Sequence, residues 1–323
     1  MAGGHEDDAQ LAGGYTMRSL RGEDVHEAGQ VYFDAFSADS VATGIPANFN
    51  LASPDAGRAV IASFMSGPSL YYHLGAFDGA GKLLGAAFVH VGSDCDAHGV
   101  GPVYVSPEAS NRGIGKALMR GIVEHAQKIN LPSVRLNTSG SNRKSFCLYA
   151  SLGFRPVECT TSFYGRIEPD AGIQAAVSVG ISTDGISTRK MEEGDVKACG
   201  EMYSKGMGYE RENDIREMLT TRPEGCWVAT TYDNAVVGYT TGLFMLGHAM
   251  ATSEAAWVAA ISRAIQEKDG VVGCVTIPGV YYPRLINWAL AAKLQLARHN
   301  WYMVIGDYQK PKDGFFWSPS VQH

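Results

Sequence analysis

The chain has 323 residues, 45% hydrophobic and 19% charged, with a formal net charge of −6. That composition suits a globular protein long enough for two domains of moderate size, and an acidic balance without a Lys/Arg run argues against a nucleic-acid partner. Six scattered cysteines without a CxxC pair argue against a metal centre or a disulfide framework, leaving reduced thiols as the expected state.

The opening "MAGGHEDDAQLAGG" is acidic and small-residue rich, so residues 1–14 are expected to be a disordered tail, without the basic and apolar regions of a secretory signal. No run approaches ~18 apolar residues, so no membrane span is expected and the cytoplasm is the expected compartment. "MRSLRGEDVHEAGQVY" (Met17 to Tyr32) reads as a strand and a helix, with Asp24 placed to cap the helix. The stretch from Phe36 to Gly57 reads as a long loop-like insert without decisive charge, suited to walling a substrate cleft. "YYHLGAFDGAGKLLGAAFVHV" (Tyr71 to Val91) predicts a β-hairpin turning at Asp78 to Gly81.

An apolar strand, "GVGPVYVSP" (Gly99 to Pro107), then leads into "SPEASNRGIGKALMR" and a helix whose apolar positions are Ile114, Leu118, Ile122, Ala126 and Ile129. Gly113 and Gly115 stand at that helix start. Bare backbone there either meets the positive-φ demand of a tight turn or exposes amides and the helix dipole to a phosphate. A P-loop would need GxxxxGK[ST], and a dinucleotide fingerprint a third glycine and an earlier place in the chain; neither fits. Further on, "SVRLNTSGSNRKSFCLYASLGF" (Ser133 to Phe154) reads as strand, loop, short helix and a closing Gly-Phe, with Asn142 able to cap the helix and Gly153 to end it.

The remainder rhymes with what precedes it. "TRKMEEGDVKACGEMY" (Thr188 to Tyr203) matches the first strand and helix, pairing Arg18 with Arg189, Asp24 with Asp195, Val25 with Val196, Gly29 with Gly200 and Tyr32 with Tyr203. "CWVATTYDNAVVGYTTGLF" (Cys226 to Phe244) matches the hairpin, with Gly85 and Gly238 each after two apolar residues. Two copies of one α/β module follow, over residues 15–167 and 186–323, joined by a Gly/Ser-rich linker over 168–185 whose middle could still pair as a strand. In the second copy Trp257, Val258 and Ala259 stand about where the glycine turn should be, Ala289 where Tyr149 would be and Lys293 where Gly153 would be. Phe315, Phe316 and Trp317 are too apolar for a free tail and are expected to dock, between the domains or at a homodimer contact, with core packing favoured.

The pattern Val105-Ser106-Pro107 followed by Gly113-Ile114-Gly115 resembles motif A of the GNAT superfamily of N-acetyltransferases, and Asn142, Ser145, Leu148, Tyr149, Gly153 and Phe154 resemble its second signature. The resemblance implies two GNAT-like domains, each a mixed, mostly antiparallel sheet flanked by helices, with only the first carrying a working acetyl-CoA site. It implies that Asn111, Arg112, Gly113, Ile114, Gly115 and Lys116 hold the pyrophosphate and that Val103, Tyr104 and Val105 hold the pantetheine arm by backbone hydrogen bonds. Asn142 would contact that arm near the thioester, and Tyr149 would protonate the departing thiolate. Two departures stand out: Ser110 replaces the usual Gln or Arg, and Gly99 to Val105 lacks the glutamate many relatives carry. That leaves His90, Asp94, Asp96 and His98 as candidate bases for the attacking amine. Cys147 is a weaker candidate as a nucleophile. The implied activity is direct acetyl transfer to a primary amine, a small molecule being the favoured acceptor; the alternative is a non-catalytic acyl-CoA-binding sensor.

Overall fold

The computed structural model describes residues 9–11, 14–44, 51–67, 70–92 and 97–321. Its elements begin with β1 (Ala9–Leu11), β2 (Tyr15–Arg18), α1 (Val25–Thr43), α2 (Pro54–Ser66), β3 (Tyr71–Asp78), β4 (Leu83–His90), β5 (His98–Val105) and α3 (Ile114–Lys128). They continue with β6 (Ser133–Ser139), α4 (Arg143–Ser151), β7 (Arg155–Arg166), α5 (Ala171–Ser178), β8 (Ser187–Lys190), α6 (Glu193–Met207), α7 (Glu212–Thr221) and β9 (Trp227–Thr230). The last are β10 (Val236–Thr240), β11 (Ala249–Ala251), α8 (Glu254–Glu267), β12 (Val271–Ile277), α9 (Pro283–Ala291), β13 (Gln295–Gly306) and β14 (Phe316–Ser318). Two compact units result: the described residues within Met1–Gly92, His98–Val134 and Asn142–Phe154 form the first, and Ala97, Arg135–Ser141 and the described residues within Arg155–His323 form the second.

In the first unit β1 to β5 lie in chain order, each antiparallel to the next, with α3 packed on β3 to β5 and α1 on β4 and β5. The second unit has the antiparallel order β14-β11-β10-β9-β8 and a separate antiparallel group in which β7 lies between β13 and β12. Its core includes Trp257 and Trp288, packed edge to face with centroids 5.4 Å apart. Both units are therefore mixed α/β with mostly antiparallel sheets flanked by helices.

The internal repeat extends to single atoms. From β2 to β7 and from β8 to β13 the order is the same: strand, two helices, three strands, helix, strand, helix, strand. Arg18 grips Asp24 with both terminal guanidinium nitrogens at 2.7 and 3.0 Å, and Arg189 grips Asp195 at 2.6 and 2.8 Å. Asp24 also accepts from the Arg21 amide and Asp195 from the Glu192 amide, so each acid turns back on the preceding turn instead of capping the helix forward. Gly29 and Gly200 share a role as well. A Cβ on Gly29 would come within 2.5 Å of Arg58 Cα, and one on Gly200 within 3.0 Å of Glu212 Cβ, so each glycine lets the second helix of its module pack closely.

This ion pair carries a pH signature. Burial alone would raise the Asp24 carboxyl, but the Arg18 guanidinium and the Arg21 amide outweigh it and hold the carboxyl below its ordinary value. A folded-state pKa below the unfolded one stabilises the fold fully above about pH 4 and is lost as pH falls through the folded value. Asp24→Asn is expected to lower the stability of the fold by about 1–3 kcal/mol at neutral pH and to flatten its acid dependence, read from thermal melts at pH 3 to 7. A variant melting like the wild type at pH 7 contradicts this.

Four expectations need correction. Residues 9–11, inside the segment expected to be a tail, form β1 and pair with Tyr15–Met17. The expected linker holds α5 instead of free chain: Gly172 lies so close to α8 that a Cβ would meet Ser262 Oγ at 2.5 Å, and Trp288 Nε1 donates to the Gly172 carbonyl. Small residues there serve close packing, not freedom. The division falls at Phe154 rather than after Ile167, because β7 finds its partners in β12 and β13 of the second module. Finally, much of the stretch from Phe36 to Gly57 is helix, in α1 and α2, with residues 45–50 outside the described ones.

Candidate active site

A cleft of about 710 Å³ opens in the first unit along the edge of β5, between the starts of α3 and α4, with α1 as its remaining wall. Val103, Tyr104 and Val105 line it from β5; Asn111, Gly113, Ile114, Gly115 and Lys116 from the turn and α3; Asn142 and Tyr149 from α4. Thus ten of the residues singled out from sequence meet around one cleft. Arg112 is exposed and lies outside its lining.

The glycine turn has the geometry its composition suggests. Gly113 is the left-handed residue before α3, at φ 81°, and a Cβ there would meet nothing within 4 Å; the backbone angle, not crowding, asks for glycine. No side chain caps α3, so its first amides keep their hydrogen-bonding capacity for a ligand. At Gly115 a Cβ would approach Val105 Cγ2 at 3.6 Å and Leu148 Cδ2 at 3.7 Å, into the space between β5 and α4. Behind the turn, Ile114, Leu118, Ile122 and Ala126 are buried against the sheet. Ile129, expected on the same face, is 41% exposed because α3 ends at Lys128.

Asn142 caps α4 through Oδ1, which accepts from the Ser145 amide at 3.0 Å, while its Nδ2 donates to Asp39 Oδ1 at 3.3 Å. Capping and a place in the cleft are therefore compatible. Two turns on, Tyr149 is 7% exposed with its ring 6.0 Å from Phe154. Burial pushes its phenol up to about 12, so it remains protonated at neutral pH and can donate a proton. Burial also raises the phenol of Tyr104, whose ring packs against Tyr32.

Charge in the cleft is divided. Lys116 and Lys144 stand at the helix N-termini, with Lys144 Nζ donating to Asn111 Oδ1 at 3.1 Å. Asp39, on α1, is the one carboxylate among the described residues lining the cleft. Reading this region as a loop without decisive charge hid it; Asp39 repeats with Ala35 and Ala42 on one helical face, but no local sequence signal says which face meets α4.

The candidate bases fare differently. His90 and His98 come together, His98 Nδ1 lying 3.1 Å from the His90 carbonyl and the rings 6.2 Å apart. Both are buried and neither lines the cleft. Asp94 and Asp96 lie outside the described residues. Cys147 is exposed and likewise outside the lining. Among the described residues there is no group of three or more His, Cys, Asp or Glu placed to hold a metal, and no helix long and apolar enough to cross a membrane.

Comparison with known proteins returns the same region. Residues 43–154 match the Acetyltransferase (GNAT) family. Mycothiol acetyltransferase from Pseudarthrobacter chlorophenolicus is 36% identical over 83 residues, which are 24% of this chain and 26% of that protein. The enzyme of the same name from Arthrobacter sp. (strain FB24) matches equally, so the alignment spans about a quarter of the length of these relatives. Among solved structures, a GCN5-related N-acetyltransferase from Sphaerobacter thermophilus shares the fold over 94% of this chain and 99% of its own, at TM-score 0.62 and 16% identity. A tandem GNAT protein from the clavulanic acid biosynthesis pathway does so over 93% and 100%, at TM-score 0.58 and 16% identity.

Proposed function

We propose that the first unit, whose residues 43–154 match the Acetyltransferase (GNAT) family, is an acetyl-CoA-dependent N-acetyltransferase acting on the primary amine of a small molecule. The observation that carries this reading is one cleft joining an uncapped, glycine-led helix start to a buried, protonated phenol.

The residues present suit the cofactor. The first amides of α3, with Lys116 and Lys144 beside them, favour a pyrophosphate, and the absent side chain at Gly115 keeps the groove open toward β5 and α4. Backbone groups of Val103 to Val105 would order an extended amide-bearing arm. When bound, acetyl-CoA supplies the acyl group and a thiolate leaving group. Tyr149 would hold a proton for that sulfur, and Asn142 would position the arm.

An amine near pKa 10 is mostly protonated at pH 7 and must lose a proton before it attacks. Asp39 is the carboxylate best placed to attract the ammonium and receive that proton. The names of the mycothiol acetyltransferases, which refer to a small molecule, support a small acceptor here as well.

Calorimetric titration of acetyl-CoA, followed by thiol-release assays over a panel of small primary amines including amino acids, tests the reading. One-to-one binding and turnover of an amine are expected. Binding without turnover of any amine would favour the sensor alternative, and no binding would remove both. For an amine that is turned over, Asp39→Asn is expected to raise the amine KM and lower kcat/KM about a hundredfold, with acetyl-CoA affinity changed less than about threefold. An unchanged amine KM would remove Asp39 from the acceptor site.

A further inference from the structure

The register of the second unit shows what fills the counterpart of this cleft. In the first unit Gly85 pairs with Val105, Ala86 with Tyr104 and Ala87 with Val103. In the second, Gly238 pairs with Ala251, Tyr239 with Met250 and Thr240 with Ala249. Since Gly85 and Gly238 correspond in the repeat, Ala249 to Ala251 are the counterparts of Val103 to Val105, the three residues that border the first cleft.

Those three residues are already taken. β14 runs antiparallel to β11, pairing Ala249 with Ser318, Met250 with Trp317 and Ala251 with Phe316. On its other side Ser318 Oγ donates to the Thr276 carbonyl at 2.5 Å, so β14 reaches both β11 and β12. Trp317 is fully buried and donates from Nε1 to Tyr203 Oη at 3.0 Å. The Phe315 carbonyl accepts from Tyr282 Oη, the Ser320 carbonyl from Asn137 Nδ2, and the Val321 amide donates to the Met245 carbonyl.

The phosphate end of the counterpart has changed too. Residues 106–113 separate β5 from α3, whereas only Thr252 and Ser253 separate β11 from α8. Trp257, Val258 and Ala259 lie inside α8, which corrects the expectation that they stand where the glycine turn should be; the connection before the helix is shortened instead. Ser253 caps α8 by accepting from the Ala256 amide, and Glu254 puts a negative charge in its first turn. A helix start whose amide is taken by Ser253 and whose Arg284 neighbour is already paired with Glu254 offers a phosphate less than the uncapped start of α3.

We infer that the second unit has exchanged a cofactor groove for a peptide-strand groove, whose occupant is the chain's own Phe315 to Ser320. The inference rests on reading the first cleft as the cofactor groove. Its ligand class is an extended peptide carrying a central tryptophan: backbone pairing to β11 gives affinity, and the pocket that buries Trp317 gives selectivity. Acetyl-CoA is then expected to bind once per chain, with the second groove closed in every state of the cofactor.

Hydrogen exchange on the intact chain, with and without saturating acetyl-CoA, tests this. Amides of residues 249–251 and 316–318 are expected to exchange about a thousandfold more slowly than those of the Asp233–Asn234 turn, and acetyl-CoA should leave them unchanged. Fast exchange at 316–318, or added protection at 249–251 on acetyl-CoA binding, overturns the proposal. Residues 103–105 report separately: if they gain no protection, the cofactor reading fails while the strand-groove result stands on its own. As a second arm, a chain ending at Asp313 should bind a peptide of residues 314–321 saturably and one to one, and the same peptide with Trp317→Ala at least about tenfold more weakly. Equal binding of the two peptides would also overturn it; should the shortened chain fail to fold, the exchange experiment decides.

Discussion

Tyr149→Phe is expected to lower kcat by about 10²–10³ while leaving acetyl-CoA affinity within about twofold. The substitution removes one oxygen and keeps the ring that packs against Phe154, so fold and cleft shape persist. What goes is the hydroxyl proposed as the proton donor to the departing sulfur. A thiol with pKa near 8.5 leaves far more readily when a proton accompanies it, and a phenol raised to about 12 by burial carries that proton at all working pH values. The pH dependence follows with a definite sign. Rates should climb with pH as the amine and its base lose protons, with no descending limb from Tyr149 below about pH 11. A wild-type kcat in the variant would show that Tyr149 only packs, and a different donor would have to be sought.

The second large effect concerns the glycine turn. Gly113→Val/Gly115→Val is expected to weaken acetyl-CoA binding by roughly a hundredfold or more, to or beyond the limit of calorimetric detection. Two separate causes add. At Gly113 a β-branched residue cannot hold φ near 81° without a penalty of about 1–2 kcal/mol, so the turn would relax and move the first amides of α3. At Gly115 the first side-chain carbon already comes within 3.6–3.7 Å of Val105 and Leu148, and the branches of valine extend into the groove between them. Single variants divide the two causes: Gly115→Ala should bind more tightly than Gly113→Val. A double variant that keeps wild-type affinity would mean the cofactor does not lie on this helix start. A circular dichroism spectrum like the wild type's makes the loss one of binding and not of folding.

Much of this arrangement follows from local patterns. The strand, glycine turn and helix around Gly113 are set by short-range chemistry: positive φ, missing side chains and an apolar helical face. Asn142 and Tyr149 are seven residues apart on one short helix, so their placement in one wall needs only helical geometry. The repeat is equally local, since Arg18 with Asp24 and Arg189 with Asp195 act within seven consecutive residues.

Other features depend on contacts between distant segments. α5 looked like a linker because small residues suit both a free chain and a helix pressed against its neighbours, and Trp288 and Ser262, far along the chain, decide between the two. Asp39 escaped notice because the rotation of α1 about its axis is set by packing, not by its own composition.

The sequence by itself therefore determined the two-module organisation, the glycine turn and the placing of Asn142 and Tyr149 on one helix, all of which rest on interactions within a few residues. Tertiary structure alone decided that Asp39 faces the cleft, that β7 pairs with β12 and β13, and that β14 lies on β11. Each is a choice among strand edges or helix faces of similar local quality, settled by the packing and backbone hydrogen bonds of segments far apart in the chain.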